Sequence, residues 1–261
     1  WQFELHQFIL NKGSVHVIDA VKKADVTATI DTLPDTADGN ERIGWNLKGN
    51  VNREPVSGSG KAGGVLQLQQ QSASYPLQAE VHVGKTAISV KGTLTLPRDL
   101  AALDLHMKVS GVSMGHLYHL TGIVLPETPP FATEGHLSGT LNALGGDWTY
   151  ENFRGKVGSS DIGGTIHFFS RNPRPLLKGN VVSNLLQFQD LAPLIGADSN
   201  ASKLKRGAET LQPENKVLPV EPFKTERWRS IDADVTFSGR RIVRKKELPI
   251  DNLVTQIHLQ D

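Results

Sequence analysis

Apolar and polar residues alternate through most of this chain, and that period of two confines it to β-structure. Leu77, Ala79, Val81 and Val83 share one parity. So do Ile88, Val90, Leu94 and Leu96, and then Leu103, Leu105, Met107 and Val109. Successive side chains of a strand point to opposite faces. The other parity therefore puts Gln78, Glu80, His82, Ser89, Lys91, Thr93, Asp104, His106 and Lys108 on the opposite side. Each strand has one dry and one wet face, as in an antiparallel sheet with one side in water. Ile166 and Phe168, Val235 and Phe237, and Leu253 and Ile257 extend the dry set.

The pattern comes in groups. Val83 to Gly122 reads as strands followed by a short amphipathic helix, and Val157 to Gly196 is a looser copy. Val83 matches Val157, Ser110 matches Ser183, and Leu117, Leu120 and Gly122 match Leu191, Leu194 and Gly196, an offset of about 73 residues. Units that repeat stack because none buries its apolar face alone. Short helices are expected at 113–121, capped by Ser113, and at 187–195, with Pro126 and Pro193 limiting their length. A hairpin is expected at Asn11-Lys12-Gly13 and a strand from Val56 to Leu68. Residues 1–196 thus form a first β region. Residues 197–229, polar and with Pro213, Pro219 and Pro222, read as a disordered or mobile loop. Strands resume over 230–261. The fold class expected is all-β, an elongated, curled antiparallel sheet with a taco-like groove.

The chain of 261 residues carries a net charge of +1 and no cysteine, which removes disulfides and thiolate metal sites. Acids and bases are mixed, without the basic footprint of a nucleic-acid binder. The run Arg240 to Lys246 reads as a solvated turn. No apolar run of about 18 residues offers a membrane-spanning helix. Alternation at both ends (Trp1, Phe3, Leu5; Leu253, Thr255, Ile257, Leu259) gives the expectation of a cut from a longer chain.

Reactive groups do not assemble into a known chemistry. Gly58-Ser59-Gly60-Lys61 has Pro55 and Ala62 where a phosphate loop needs Gly and Ser or Thr. His116 and His119 stand three apart without a third ligand. No G-x-S-x-G elbow is present. The expectation is no catalytic residue, no metal and no cofactor. What remains is an apolar sheet face with no long helix to cover it. A flat apolar face does not stay in water: a second sheet covers it, or it curls on itself, or an apolar partner fills it. In a curled trough, burying about 14 methylenes would gain roughly 10 kcal/mol before entropy losses. The lining expected from alternation is Leu77, Val81, Val83, Ile88, Val90, Leu94, Leu96, Leu103, Leu105, Met107, Val109, Ile166, Phe168, Val235, Phe237, Leu253 and Ile257.

Pro55-Val56-Ser57-Gly58-Ser59-Gly60-Lys61-Ala62-Gly63-Gly64, the run Leu120 to Phe131 (LTGIVLPETPPF) and Phe153 to Gly164 (FRGKVGSSDIGG) resemble the AsmA family of Gram-negative envelope proteins. Val217-Leu218-Pro219 and Ile231 to Val235 continue the likeness. The resemblance implies a periplasmic protein tethered to the inner membrane by an N-terminal helix, a curled β-groove and a role in moving phospholipid between membranes. It implies phospholipid or another acyl lipid, together with envelope proteins, as partners, and carries over no catalytic residue. The alternative expectation is a scaffold or assembly factor for outer-membrane proteins acting through sheet edges.

Overall fold

The computed structural model describes residues 8–20, 23–34, 41–69, 74–95, 102–121, 123–140, 146–195, 199–208, 210–214, 220, 229–244 and 248–260. The strands are β1 (Gly13–Asp19), β2 (Ala24–Thr32), β3 (Ile43–Val51), β4 (Glu54–Ala62), β5 (Tyr75–Val83), β6 (Thr86–Thr95), β7 (Ala102–Gly111), β8 (Phe131–Thr140), β9 (Asp147–Val157), β10 (Ser160–Phe169), β11 (Leu176–Ser183), β12 (Leu186–Gln187), β13 (Asp232–Val243) and β14 (Ile250–Leu259). They form one sheet in the order β1 through β11, then β13 and β12, with β14 also on β13. The class is all-β, as the alternation requires. The chain divides into two compact units, residues 1–107 with 137–143, and residues 108–136 with 144–261.

In the first unit β1 to β6 are antiparallel neighbours, with short connections between β1 and β2, β3 and β4, and β5 and β6 and longer ones between β2 and β3 and between β4 and β5. Val17 pairs with Val26, Ala28 with Leu47, Leu47 with Gly58, Gly58 with Val81 and Val81 with Ile88. Paired residues share a face, so the apolar rows of five consecutive pairs lie in one continuous band. The first hairpin closes between Asp19 and Ala24, not at Asn11-Lys12-Gly13. Lys12 does hold a positive φ of 53°, but its N–H donates to Asp31 Oδ1 (2.6 Å) and Leu10 N–H to Thr32 Oγ1 (2.8 Å), so the chain runs on along β2. β4 ends at Ala62 and a 3-10 turn follows at Leu66–Gln69. Gly63-Gly64 permits that break: the Tyr75 hydroxyl donates to the Gly63 carbonyl (2.8 Å) and the Gln67 side chain accepts from Gly64 N–H (2.8 Å). Burial pushes the Tyr75 phenol pKa up.

The second unit holds the copy. The β9–β10 hairpin, β11 and a 3-10 helix at Phe188–Ile195 repeat the order of the β5–β6 hairpin, β7 and the turn pair Met114–Leu117 and α1 (Tyr118–Thr121). Ser113 caps that pair, accepting from Gly115 N–H (3.3 Å). In β9, Tyr150 pairs with Ile166 but Phe153 pairs with Gly164, so Glu151 and Asn152 oppose Thr165 alone. Asn152, at φ 48°, is the bulged residue. The bulge returns Phe153 to the face of Trp148 and Tyr150. The sheet is not antiparallel throughout: β11 and β12 both run parallel to β13. A parallel neighbour needs a long crossover, which residues 184–231 supply.

Within that crossover, the stretch 197–229, expected to be a disordered or mobile loop, contains α2 (Asn200–Arg206). Ser199 caps its start by accepting from Ser202 N–H (3.2 Å), and Gly207 at φ 74° ends it. Its inward side chains are Lys203 and Arg206, each 1% exposed, while Leu204 is 62% exposed. Arg206 Nη1 lies 3.7 Å from Glu127 Oε2, and Ser113 Oγ donates to the same oxygen (2.8 Å). Charge pairing, rather than apolar burial, orders this stretch. The basic run also differs from the expected turn. β13 continues to Val243, and Arg241 pairs across it with Asp251 (2.8 Å). Lys245 and Lys246 lie outside the described residues.

Asp161 closes the end of β11. It accepts from Leu185 N–H (2.6 Å), Asn184 N–H (3.0 Å), the Asn184 side chain and the Ser183 hydroxyl. Burial works to raise its pKa, but these donors outweigh it and hold the carboxyl below its ordinary 3.8. A depressed folded-state pKa adds stability that is complete above the unfolded value and is lost as pH falls through the folded one. Urea midpoints measured from pH 6 down to pH 2 are expected to fall less steeply in Asp161→Asn than in the parent. Identical slopes would show that Asp161 adds nothing.

Candidate functional site

The candidate site of the first unit is the apolar band itself. Val26, Ala28, Ile30, Trp45, Leu47, Leu77, Val81, Val83, Ile88 and Val90 all lie on it and all are half-buried. Strand neighbours shield such side chains edgeways, but among the described residues the unit has no second sheet of its own to cover them from above. Among the described residues the band is sealed at one end. There Ala62, Tyr75, Leu94, Leu103 and Leu105 form a core, with Leu68 of the 3-10 turn, Trp45, Leu77, Val90 and Leu137 packed on it. β4 gives the band a low floor, because it presents Gly58 and Gly60 between Leu47 and Trp45 on one side and Val81 and Ala79 on the other. The Trp45 indole occupies that gap: a Cβ on Gly60 would stand 2.6 Å from its ring.

The second unit carries a more aromatic face. Trp148 stacks on Phe168 with ring centres 5.2 Å apart, and Tyr150 on Phe153 at 5.3 Å. Ile166, Val181, Val235 and Phe237 continue it, half-buried. Ile257 pairs with Val235 and Leu253 with Gly239, on the outer strand, 45% and 38% exposed. One end is closed by Ile123, Val124, Leu125 and Tyr118 packing on Phe168, Leu177, Ile231 and Ala233. At the other end Asp190 closes the β9–β10 turn, accepting from the Ser160 hydroxyl (2.6 Å) and Ser159 N–H (2.8 Å). Gly158 sits there at φ 60°, where a Cβ would strike the Asp190 carboxylate.

The residues expected from alternation therefore fall into three groups. Leu94, Leu103, Leu105, Val109 and Phe168 are sealed in the core, 5–8% exposed. Leu77, Val81, Val83, Ile88, Val90, Met107, Ile166, Val235 and Phe237 are half-buried, and Leu253 and Ile257 exposed. Leu96 lies outside the described residues. Alternation passed over Val26, Ala28, Ile30, Trp45 and Leu47 as lining, although their spacing carries the same signal, and it missed the aromatic pairs, whose parity changes at the bulge. The opposite faces carry cross-strand ion pairs such as Glu134 with Arg154 (3.0 Å) and Lys108 (3.5 Å). The Arg154 hydrogen bond, ahead of an opposing desolvation effect, holds the Glu134 carboxyl below its usual range. Among the described residues no three His, Asp or Glu gather as metal ligands. No described helix is long and apolar enough to cross a membrane.

A single sheet, apolar on one face, polar on the other and only partly capped, defines a β protein whose accessible feature is a surface rather than a reactive centre. The AsmA family model matches residues 2–261, and the chain belongs to the AsmA family. It is 37% identical, over its whole length, to the AsmA family protein YhjG of Escherichia coli (strain K12), of which it spans 42%. No solved structure matches it. Membership places the chain among envelope-associated proteins.

Proposed function

We propose that this chain is a non-enzymatic lipid-binding and transfer segment of a periplasmic protein tethered to the inner membrane. It carries phospholipid acyl chains on the apolar faces of its sheet between the inner and outer membranes. One observation carries the reading: the half-buried band from Val26 to Val90 runs in register across five strands, with no covering sheet among the described residues of its unit. Leaving such a band in water is unfavourable by about 25 cal/mol per Å², and acyl chains are a mobile partner that shares its lack of polar atoms. Family membership supports an envelope setting. No catalytic step is assigned, and no cofactor is required.

The test is a lipid extract of protein purified without detergent, read by mass spectrometry. Phospholipid is expected at a fixed ratio to protein, and a photoreactive residue at Val81, which is half-buried where Leu105 is sealed, is expected to trap it. Val81 faces Ile88 across the β5–β6 pair. The double variant Val81→Asp, Ile88→Asp places two carboxylates in the band, where an unpaired charge is costly. Co-purified lipid is expected to fall tenfold or more, while Gln78→Asp on the wet face leaves it unchanged. A lipid-free extract from the parent protein would remove the reading.

The outer strand favours a second reading. β14 is exposed over Ile250–His258, including Val254 at 65%. An exposed strand edge is a template for pairing with another strand, the mode by which a scaffold for outer-membrane proteins would hold a client. Polypeptide instead of lipid trapped from Val254 and from Val81 alike would favour it.

A further inference from the structure

The two ends of the first unit's band are unlike. At one end the strands finish in the apolar core around Tyr75, Leu94 and Leu103. At the other end they finish in three tight turns, each carrying a cation. The β1–β2 turn has Lys23, the β3–β4 turn Arg53 and the β5–β6 turn Lys85. All three turns lie at the same end, because Asp19 pairs with Ala24, Val51 with Glu54 and Val83 with Thr86. Alternate turns of a meander repeat every two strands, about 10 Å apart. The turns are joined into a ladder: Asn52 N–H donates to the Lys23 carbonyl (3.1 Å) and Gly84 N–H to the Pro55 carbonyl (2.8 Å).

Lys23, Arg53 and Lys85 are exposed, and among the described residues none of them takes part in an ion pair. Three carboxylates lie at this end, Asp19, Asp25 and Glu54; Asp25 is bonded to His16 (2.7 Å). Glu54 is turned against Gly84, where a Cβ would meet its oxygen. No cation stands in the corresponding turn of the second unit, Val157-Gly158-Ser159-Ser160.

From this asymmetry, and resting on the lipid-binding reading above, we propose that the turn ladder is a headgroup rail. Lys23, Arg53 and Lys85 receive the phosphates of lipids whose acyl chains lie along the band with their methyl ends toward the Tyr75 core. An amphipathic ligand fits only one way round a surface that is apolar at one end and cationic at the other. The band is long enough: a strand of nine residues spans about 30 Å, more than the about 15 Å that one leaflet's acyl layer takes. The partner class is therefore a phosphate-bearing diacyl lipid, held in one orientation, rather than any apolar molecule.

The test compares phosphatidylglycerol with diacylglycerol, both with brominated chains, delivered from cyclodextrin to the full chain. Trp45 on the band reports binding through quenching, and the share lost in Trp45→Phe belongs to the first unit. The triple variant Lys23→Asn, Arg53→Asn, Lys85→Gln removes the charges; asparagine tolerates the positive φ of 47° and 71° at the first two positions. Exposed pairs are individually weak, so three together are expected to cost about tenfold in phosphatidylglycerol affinity, with diacylglycerol unchanged and the loss shrinking at high salt. The charge-keeping variant Lys23→Arg, Arg53→Lys, Lys85→Arg is expected to bind as the parent does. Equal affinities of the parent and the neutral triple for phosphatidylglycerol would overturn the rail alone. Absence of Trp45 quenching by either lipid in the parent would overturn the lipid reading and the rail with it.

Discussion

Glu127→Ala is expected to lower the stability of the second unit by about 3–5 kcal/mol, the cost of removing one partner from a buried ion pair. Arg206 is 1% exposed and would lose the carboxylate beside it. Ser113, fully buried, would lose the acceptor of its hydroxyl while still accepting from Gly115 and Thr128 N–H. An unmet buried donor adds about 1–3 kcal/mol of its own, not strictly additive with the first. Removing the pair together, Glu127→Gln with Arg206→Met, is expected to cost markedly less than Glu127→Ala. Urea unfolding followed by circular dichroism checks both. A change below about 1 kcal/mol in Glu127→Ala would show that charge pairing does not hold α2 to the Ser113 turn.

Gly60→Ala is expected to destabilise the first unit by about 3 kcal/mol, at the top of the range for overpacking, although it adds one methyl group. The new Cβ would overlap the Gln78 carbonyl oxygen on the neighbouring strand and stand 2.6 Å from the Trp45 ring. A side chain can swing away from a collision, but a backbone oxygen in a ladder cannot move without parting β4 from β5. Gly58→Ala meets Glu80 oxygen at 2.9 Å and Val81 Cγ2 at 3.1 Å, so it is expected to cost visibly less. The order of the two denaturation midpoints is the check. Displacement of Trp45 in Gly60→Ala is also expected to shift its emission to the red; equal midpoints and unchanged emission would contradict the packing described for this floor.

These effects sit at different distances from what a reader of residues can see. The parity of Leu77, Val81 and Val83 against Ile88, Val90 and Leu94 is plain in the sequence, and the pairing of Val81 with Ile88 follows from it once the Gly84 turn is placed. The match of Val83 with Val157 likewise aligns two true hairpin turns. The β9 strand is another matter. Its parity reverses between Tyr150 and Phe153, and only the pairing of Thr165 with two residues shows that both aromatic rings share a face. α2 is harder still. Its leucine, Leu204, faces out and its cations face in, the reverse of what an apolar pattern predicts, because the partner that makes burial tolerable, Glu127, lies far away along the chain.

Side-chain direction along a strand follows from backbone sterics within a few residues, so strand character, the dry and wet faces and the tight turns were already written in the order of amino acids. The same holds for the cations in the turns, each next to a residue pair that must bend. Which end of the band is sealed, where β11 meets β13 in parallel and how Arg206 finds Glu127 depend on contacts between residues far apart in the chain. Those contacts form only where the entropy lost in closing long loops is offset by many interactions at once, and no local window of sequence contains both sides of that balance.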